Sequence, residues 1–341
     1  MVSGGFGSVA VMGGAGLVGS HIVKLFLAKG FDVVVVDNLT TGSMDNLRQP
    51  PGGRGPEFIR CDASKPERYE SRIRGCEIVF HCMSTRKGSG EENISATKGL
   101  LQALGTSGAK CLFVRSTALI YGNAFRIPTP EDYSPLRPTT AFAKSKLETE
   151  RMMEDFAEKV ECRIVVARLA NLAGGRSFHG VLRDIAERLV SDPTRLRVLG
   201  DGQQLRSYVH IDDCVDAIEL LALDPRAAGT FNIGARDALS IFGVAELVAG
   251  ELGIKTPNYV TTGSYASGGA WPGDPKIVFP DSSKLMALGW KGSHSSEEAV
   301  KKGAREALAH IYASGGPAKE PGYHTTGHEE RSGDTSIKPR P

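Results

Sequence analysis

The glycines of Gly13-Gly14-Ala15-Gly16-Leu17-Val18-Gly19 have the spacing of a phosphate-cradling turn. Gly13 permits a tight turn, Gly16 lets the backbone approach a pyrophosphate, and Gly19 lets a following helix pack closely on the preceding strand. With Ala15, Leu17 and Val18 between them, these glycines open a helix whose free N–H groups and positive end favour phosphate. Asp37 lies eighteen positions beyond Gly19, at the end of the next apolar run. A carboxylate there accepts hydrogen bonds from adenosine ribose hydroxyls and repels a 2′-phosphate. No arginine follows in Asn38-Leu39-Thr40-Thr41, so NAD is favoured over NADP. The alternative for Asp37 is a turn cap. Asp62-Ala63, after a third apolar run, is placed to contact adenine, although an Asp in that position also caps helices.

A turn of this kind works only between a strand and a helix, and the flanking sequence supplies both. Ser8 to Met12 is a short, partly β-branched run. Behind the glycines, Leu17, Val18, Ile22, Val23, Leu25, Phe26 and Leu27 recur at helical spacing as far as Gly30, and Phe31 to Val36 reads as the next strand. This is the size of one βαβ unit. Apolar runs at Glu57 to Arg60, Glu77 to Phe80, Lys110 to Val114 and Cys162 to Ala167 alternate with helical stretches at Asn93 to Leu104 and Ala141 to Val160. Parallel strands need helical crossovers, so the pattern predicts an α/β fold, a Rossmann-type doubly wound parallel sheet covered on both faces. We assign residues 1–170 to this NAD-binding domain. From residue 171 the strands shorten and Gly and Pro increase. Helices are expected at Val181 to Val190, Cys214 to Leu223 and Ile241 to Leu252, in a smaller C-terminal substrate-binding lobe over residues 171–313, interleaved with the sheet. Residues 314–341 have almost no large apolar side chains and are expected to be a disordered tail.

The 341 residues carry 41 Lys and Arg against 39 Asp and Glu, a net charge of +2 that gives no broad basic field for nucleic acid. No run approaches the roughly eighteen apolar residues of a membrane span, and the first residues lack the pattern of a secretory leader. A cytoplasmic location is expected. Six scattered cysteines, without a Cys-x-x-Cys pair or a histidine at ligand spacing, are expected to be reduced structural thiols, and no metal is expected.

The chain resembles the extended short-chain dehydrogenase/reductases, in particular the NAD-dependent epimerase/dehydratase branch that acts on nucleotide sugars. The likeness runs from about Val9 to His310. It rests on the glycine turn, Asp37-Asn38-Leu39, Val79-Phe80-His81, Asn93, Ser116-Thr117-Ala118-Leu119-Ile120-Tyr121-Gly122, Ser145-Lys146, Arg168-Leu169-Ala170-Asn171, Gly200-Asp201-Gly202-Gln203, Arg206 to Asp213 and Phe231-Asn232-Ile233-Gly234. The resemblance implies hydride transfer from a sugar carbon to NAD, while a Tyr four residues before a Lys removes the hydroxyl proton. The Lys lowers the phenol's pKa and binds the nicotinamide ribose, and a Ser or Thr steadies the reacting oxygen. Lys146 and Thr117 match. The Tyr does not: its position holds Phe142, a ring of similar shape without an ionisable proton.

Three readings of Phe142 stand at this level. It is a Tyr→Phe replacement made to trap a substrate, or the mark of a divergent enzyme using Tyr121, Thr117 or a water, or the mark of a protein that only binds its ligand. Met83 falls where sugar and nicotinamide meet and is counted with the cofactor residues. Tyr121 is expected to pack or line the sugar pocket, and Asn171 and Arg206 to contact the substrate diphosphate. Arg86 and Lys87, in a segment shorter than usual for the family, could indicate an acidic sugar.

A 4,6-dehydratase of this branch carries Asp-Glu directly after the Thr, whereas Ala118-Leu119 follow Thr117. Decarboxylases of UDP-glucuronate also carry Glu in this stretch. The implied activity is therefore epimerisation of a nucleotide-diphosphate sugar, with UDP-glucose and UDP-galactose as the first candidates and a transient 4-keto intermediate. Its alternatives are a dehydratase, decarboxylase or reductase of the same family, or a silent binder of NAD and nucleotide sugar. A homodimer through paired helices is implied by the resemblance alone.

Overall fold

The computed structural model describes residues 7–85, 89–105, 108–175 and 180–316. Its centre is a seven-stranded sheet. Six of the strands are β1 (Ser8–Met12), β2 (Asp32–Asp37), β3 (Glu57–Arg60), β4 (Ile78–His81), β5 (Cys111–Thr117) and β6 (Arg163–Leu169), and the seventh is Gly229–Ile233. The order across the sheet is Gly229–Ile233, β6, β5, β4, β1, β2, β3, with every neighbouring pair parallel. Chain order reverses at β1, which lies between β2 and β4, so the switch point that opens a ligand crevice falls at the carboxyl end of β1.

The strands are apolar on both faces because helices cover both. Val9 and Val11 face one layer, formed by α1 (Leu17–Ala28), the helix Ile211–Leu223, Leu285 and Trp290. Ala10 and Met12 face the other, formed by the short α2 (Glu70–Ile73), α3 (Glu91–Leu104) and α4 (Ala141–Lys159). The strand at Gly229–Ile233 and the helix Ile211–Leu223 both return to the sheet from beyond residue 170. A separate apolar cluster joins the helices Val181–Ser191, Ile241–Glu251 and Ser296–Ala313. The last of these, which the sequence reading left unassigned, starts at a capping box in which Ser295 and Glu298 bond each other's backbone N–H. Of the expected tail, residues 314–316 close this helix, and 317–341 lie outside the described residues.

None of the six cysteines is paired, and five of them are buried. Among the described residues no helix is long and apolar enough to cross a membrane.

Candidate active site

Three segments meet at the carboxyl end of β1: the glycine turn, the residues after β4, and the start of α4. Gly13 has φ +78°, and a Cβ there would stand 2.9 Å from the Met83 nitrogen. A Cβ on Gly19 would stand 2.3 Å from the Gly13 carbonyl oxygen, so helix and turn touch backbone to backbone. Gly16 differs. A Cβ there would meet only the Gly13 oxygen, at 3.4 Å, so the chain itself leaves space that a side chain would fill. Gly16 is also the N-cap of α1, without a side-chain cap and without an acidic residue in the first turn. The first N–H groups of α1, including those of Leu17 and Val18, have no acceptor within the helix and are placed to meet an anion. These features fit a dinucleotide diphosphate. Gly16→Ala should leave the melting temperature of the ligand-free chain nearly unchanged while weakening NAD about tenfold or more in calorimetric titration. Gly19→Ala should lower both.

Asp37 is buried at the end of β2. Its Oδ2 accepts from the Ala15 N–H at 2.9 Å and its Oδ1 from the Leu39 N–H at 2.7 Å. Burial raises its pKa, and the two N–H bonds oppose that rise. The carboxylate thus shapes the turn and keeps lone pairs for ribose hydroxyls. The Ala15 carbonyl is held from the other side by Asn46 Nδ2 at 2.8 Å, a contact the sequence reading missed. Asn38 is exposed, its Oδ1 accepting from the Thr40 N–H. Asp62 is exposed past β3, its Oδ1 accepting from the Ser64 N–H at 2.9 Å, while buried Ala63 accepts from the Tyr69 hydroxyl.

At the catalytic corner, Thr117 ends β5 and caps the turn Ala118–Tyr121, its Oγ1 accepting from the Leu119 N–H at 3.3 Å. Thr140 caps α4 by accepting from the Ala143 N–H. One turn apart on the buried face of α4 stand Phe142, 7% exposed, and Lys146, 1% exposed. Lys146 Nζ donates to the Met83 carbonyl at 2.6 Å, which brings the ammonium beside the glycine turn. Asn93 fastens this arrangement. Its Nδ2 donates to the Thr85 carbonyl and to Ser145 Oγ, both at 3.0 Å, and its Oδ1 accepts from the Thr85 N–H at 2.8 Å. The sequence singled out Asn93 only as part of a motif; a polar residue on the inner face of α3's first turn was the available signal.

Two expected substrate residues are held by the chain itself: Tyr121 packs, one of its two expected placements, and Arg206 is engaged elsewhere than at a diphosphate. The Tyr121 hydroxyl donates to Asn232 Oδ1 at 2.7 Å and accepts from Arg168 Nη1 at 3.2 Å. The ring is buried, and burial pushes the phenol up to about 12, so in this structure the hydroxyl is neutral and engaged by Asn232 and Arg168. Arg206 is buried too. Its Nη2 donates to Asp274 Oδ1 and the Pro275 carbonyl, and its Nη1 to the carbonyls of Leu205 and Lys276. Its guanidinium fork is occupied by the chain, because the segment around Asp274 wraps it, and it is not open to a diphosphate in this structure. Asn171 begins the strand Asn171–Ala173, half-buried, and pairs in register with Tyr208. Arg86 and Lys87 lie outside the described residues.

His81 is fully buried, one ring nitrogen 2.9 Å from Thr97 Oγ1. Burial, and then the charge of Lys146, hold its pKa down at about 3, so it is a neutral packing residue. His210 caps the helix Ile211–Leu223 and lies against the His294 ring. Among the described residues no group of three or more His, Cys, Asp or Glu is arranged to hold a metal ion.

Comparison with known proteins places the chain among nucleotide-sugar enzymes by similarity. The UDP-glucose 4-epimerase of Lactobacillus helveticus is 27% identical over 320 residues, covering 86% of this chain and 94% of that protein. UDP-glucuronic acid decarboxylase 4 of Arabidopsis thaliana is 29% identical over 256 residues, 70% of this chain and 56% of that protein. Among solved structures, the Thermus thermophilus UDP-glucose 4-epimerase complexed with NAD is 29% identical, with TM-score 0.76 and coverage of 88% of this chain and 98% of that one. The Thermotoga maritima UDP-glucose 4-epimerase with UDP-glucose is 28% identical, with TM-score 0.78 and coverage of 89% and 99%. Residues 9–234 match the family described as NAD dependent epimerase/dehydratase. With that match covering most of the chain, the chain belongs to the NAD-dependent epimerase/dehydratase family and its cofactor is NAD.

Proposed function

We propose that this chain binds a UDP-hexose beside NAD and that its site is built for epimerisation at C4, with the chemical step slowed by Phe142. Epimerase and decarboxylase relatives resemble it at similar identity, so the choice rests on the residues after Thr117. Ala118 is buried and Leu119 packs with it in an apolar cluster that includes Ile120, Tyr121, Leu147 and Val278. That is the observation that carries the reading: the turn holds no carboxyl group to protonate a leaving hydroxyl or manage a decarboxylation. Epimerisation needs no such group, because oxidation at C4 and its reversal on the opposite face complete the reaction.

Bound NAD would supply a hydride acceptor and donor, and the chain's own residues do the rest. Thr117 offers its hydroxyl to the reacting oxygen, its own acceptor bond to Leu119 leaving the proton free to donate. Lys146 holds a positive charge at the nicotinamide end. Phe142 holds the ring position of a base but moves no proton, so the C4 hydroxyl must lose its proton to water at a rate lowered by about 10²–10⁴. A second reading, a binder of NAD and nucleotide sugar without turnover, is favoured by the same Phe142.

The two readings separate when the chain is incubated with UDP-galactose and NAD and its products are resolved by chromatography. Slow appearance of UDP-glucose supports the epimerase; bound NAD with no epimer over days supports the binder. Release of a 4-keto-6-deoxy sugar from UDP-galactose, or of a UDP-pentose and CO2 when UDP-glucuronate is supplied instead, would contradict the assignment of reaction. Assembly as a homodimer through paired helices belongs to the same proposal, and sedimentation of the purified chain checks it.

A further inference from the structure

Arg115 is a charged residue in the middle of the apolar strand β5, and nothing in the reaction described above uses it. Phe113, two residues earlier, packs in the layer that contains α1, whereas Val114 packs in the opposite layer. Alternation along a strand therefore sends Arg115 toward the α1 face, the face on which the helix N-terminus offers its N–H groups. Its Nη1 donates to the Cys82 carbonyl at 3.2 Å, and its Nε is buried with no acceptor. No carboxylate pairs with it among the described residues. Burial lowers its pKa, yet a guanidinium stays charged at neutral pH.

A partly buried charge with its Nε desolvated and no counter-ion is costly, and an anionic ligand would complete the pair. The location says which ligand. Cys82 and Met83 are the residues that a Cβ on Gly13 would strike. Arg115 holds the carbonyl of the first, and Lys146 the carbonyl of the second. Both cations lie within electrostatic reach of Cys82. They flank the stretch of chain that backs the phosphate turn. The adenosine side of the cleft, with Asp37 and Asp62, lies across β1 in the other direction. At neutral pH the negative charge of NAD resides on its diphosphate, which the family assignment lays over this turn.

We propose that Arg115 is the chain's own counter-charge to the cofactor diphosphate, approaching it from the β4–β5 side while the α1 amides approach from the other. It is a binding residue and takes no part in proton transfer. The inference rests on NAD as cofactor and does not depend on which sugar is turned over.

Titration calorimetry of wild type, Arg115→Met and Arg115→Lys with NAD, ADP-ribose and UDP tests it, with thermal melts of each ligand-free chain. Arg115→Met should weaken NAD and ADP-ribose alike by about ten- to hundredfold. Arg115→Lys should fall between it and wild type, and UDP affinity should stay the same. The ligand-free Arg115→Met chain should melt no lower than wild type, since the unpaired charge is gone. A merely structural role would lower the melt and leave the NAD affinity of the folded fraction intact, which overturns the proposal, as does a loss confined to UDP. Should Arg115→Met fail to fold, the proposal is overturned on that ground, and Arg115→Lys with unaltered NAD affinity overturns it separately. Failure of wild type to bind NAD would instead overturn the cofactor assignment beneath it.

Discussion

Phe142→Tyr should raise turnover of UDP-galactose to UDP-glucose by about 10²–10⁴, the usual worth of a positioned general base. The ring occupies the inner face of α4 one turn before Lys146, within a helix start already fixed by Thr140, by Ser145 Oγ donating to the Phe142 carbonyl and by Asn93 holding Ser145. The added oxygen would stand on the helix face that carries Lys146, whose charge favours the phenolate and so lowers the phenol's pKa. The gain should therefore depend on pH: the rate of the variant rises as pH climbs through the ionisation of the new phenol and then levels, whereas the parent chain shows no such limb. NAD affinity should change little, because Lys146 and the glycine turn are untouched. A parent chain that already turns over at the variant's rate would mean that another group takes the proton.

Loss of the Glu150 carboxylate should be the most damaging single change to stability, at about 3–5 kcal/mol in urea unfolding. Arg168 on β6 and Glu150 on α4 form a buried pair, Nη2 to Oε2 at 2.8 Å, with Arg168 Nε near both carboxylate oxygens. The same guanidinium reaches the Tyr121 hydroxyl and the Glu131 carbonyl. Glu150→Leu strands a charged guanidinium in the core and loosens the turn that begins at Thr117. The double variant Glu150→Leu, Arg168→Met removes the stranded charge and should recover much of the loss. A single variant as stable as wild type would show that the pair contributes nothing and that Tyr121 alone anchors the turn.

Local features of the chain were legible where short-range physics decides them. The runs Ser8 to Met12 and Glu57 to Arg60 end where the observed strands end, and helix α4 ends one residue from its expected limit, because apolar periodicity and caps act within a few residues. The glycine turn was legible because its steric needs are local. What eluded the sequence joins distant positions. Arg206 pairs with Asp274 across 68 residues, and Tyr121 with Asn232 across 111. A residue type suited to phosphate or to a sugar was readable at both places, but its partner was not. The return of Gly229–Ile233 to the sheet was hidden for the same reason: a strand's neighbour is chosen by the crossover, not by its own residues. Arg115 directly follows the run Lys110 to Val114 and passed unremarked, because its meaning depends on what faces it from β4.

The central claim is that the turn at residues 13–19 carries NAD with its nicotinamide end beside Thr117, Phe142 and Lys146. A crystal structure of the chain grown with NAD and UDP tests it most directly. The account predicts phosphate oxygens on the amides at the start of α1, an adenosine ribose hydroxyl on Asp37, and a nicotinamide ribose within hydrogen-bond reach of Lys146 Nζ. Adenosine seated away from Asp37, or the nicotinamide half directed away from Lys146, would contradict it.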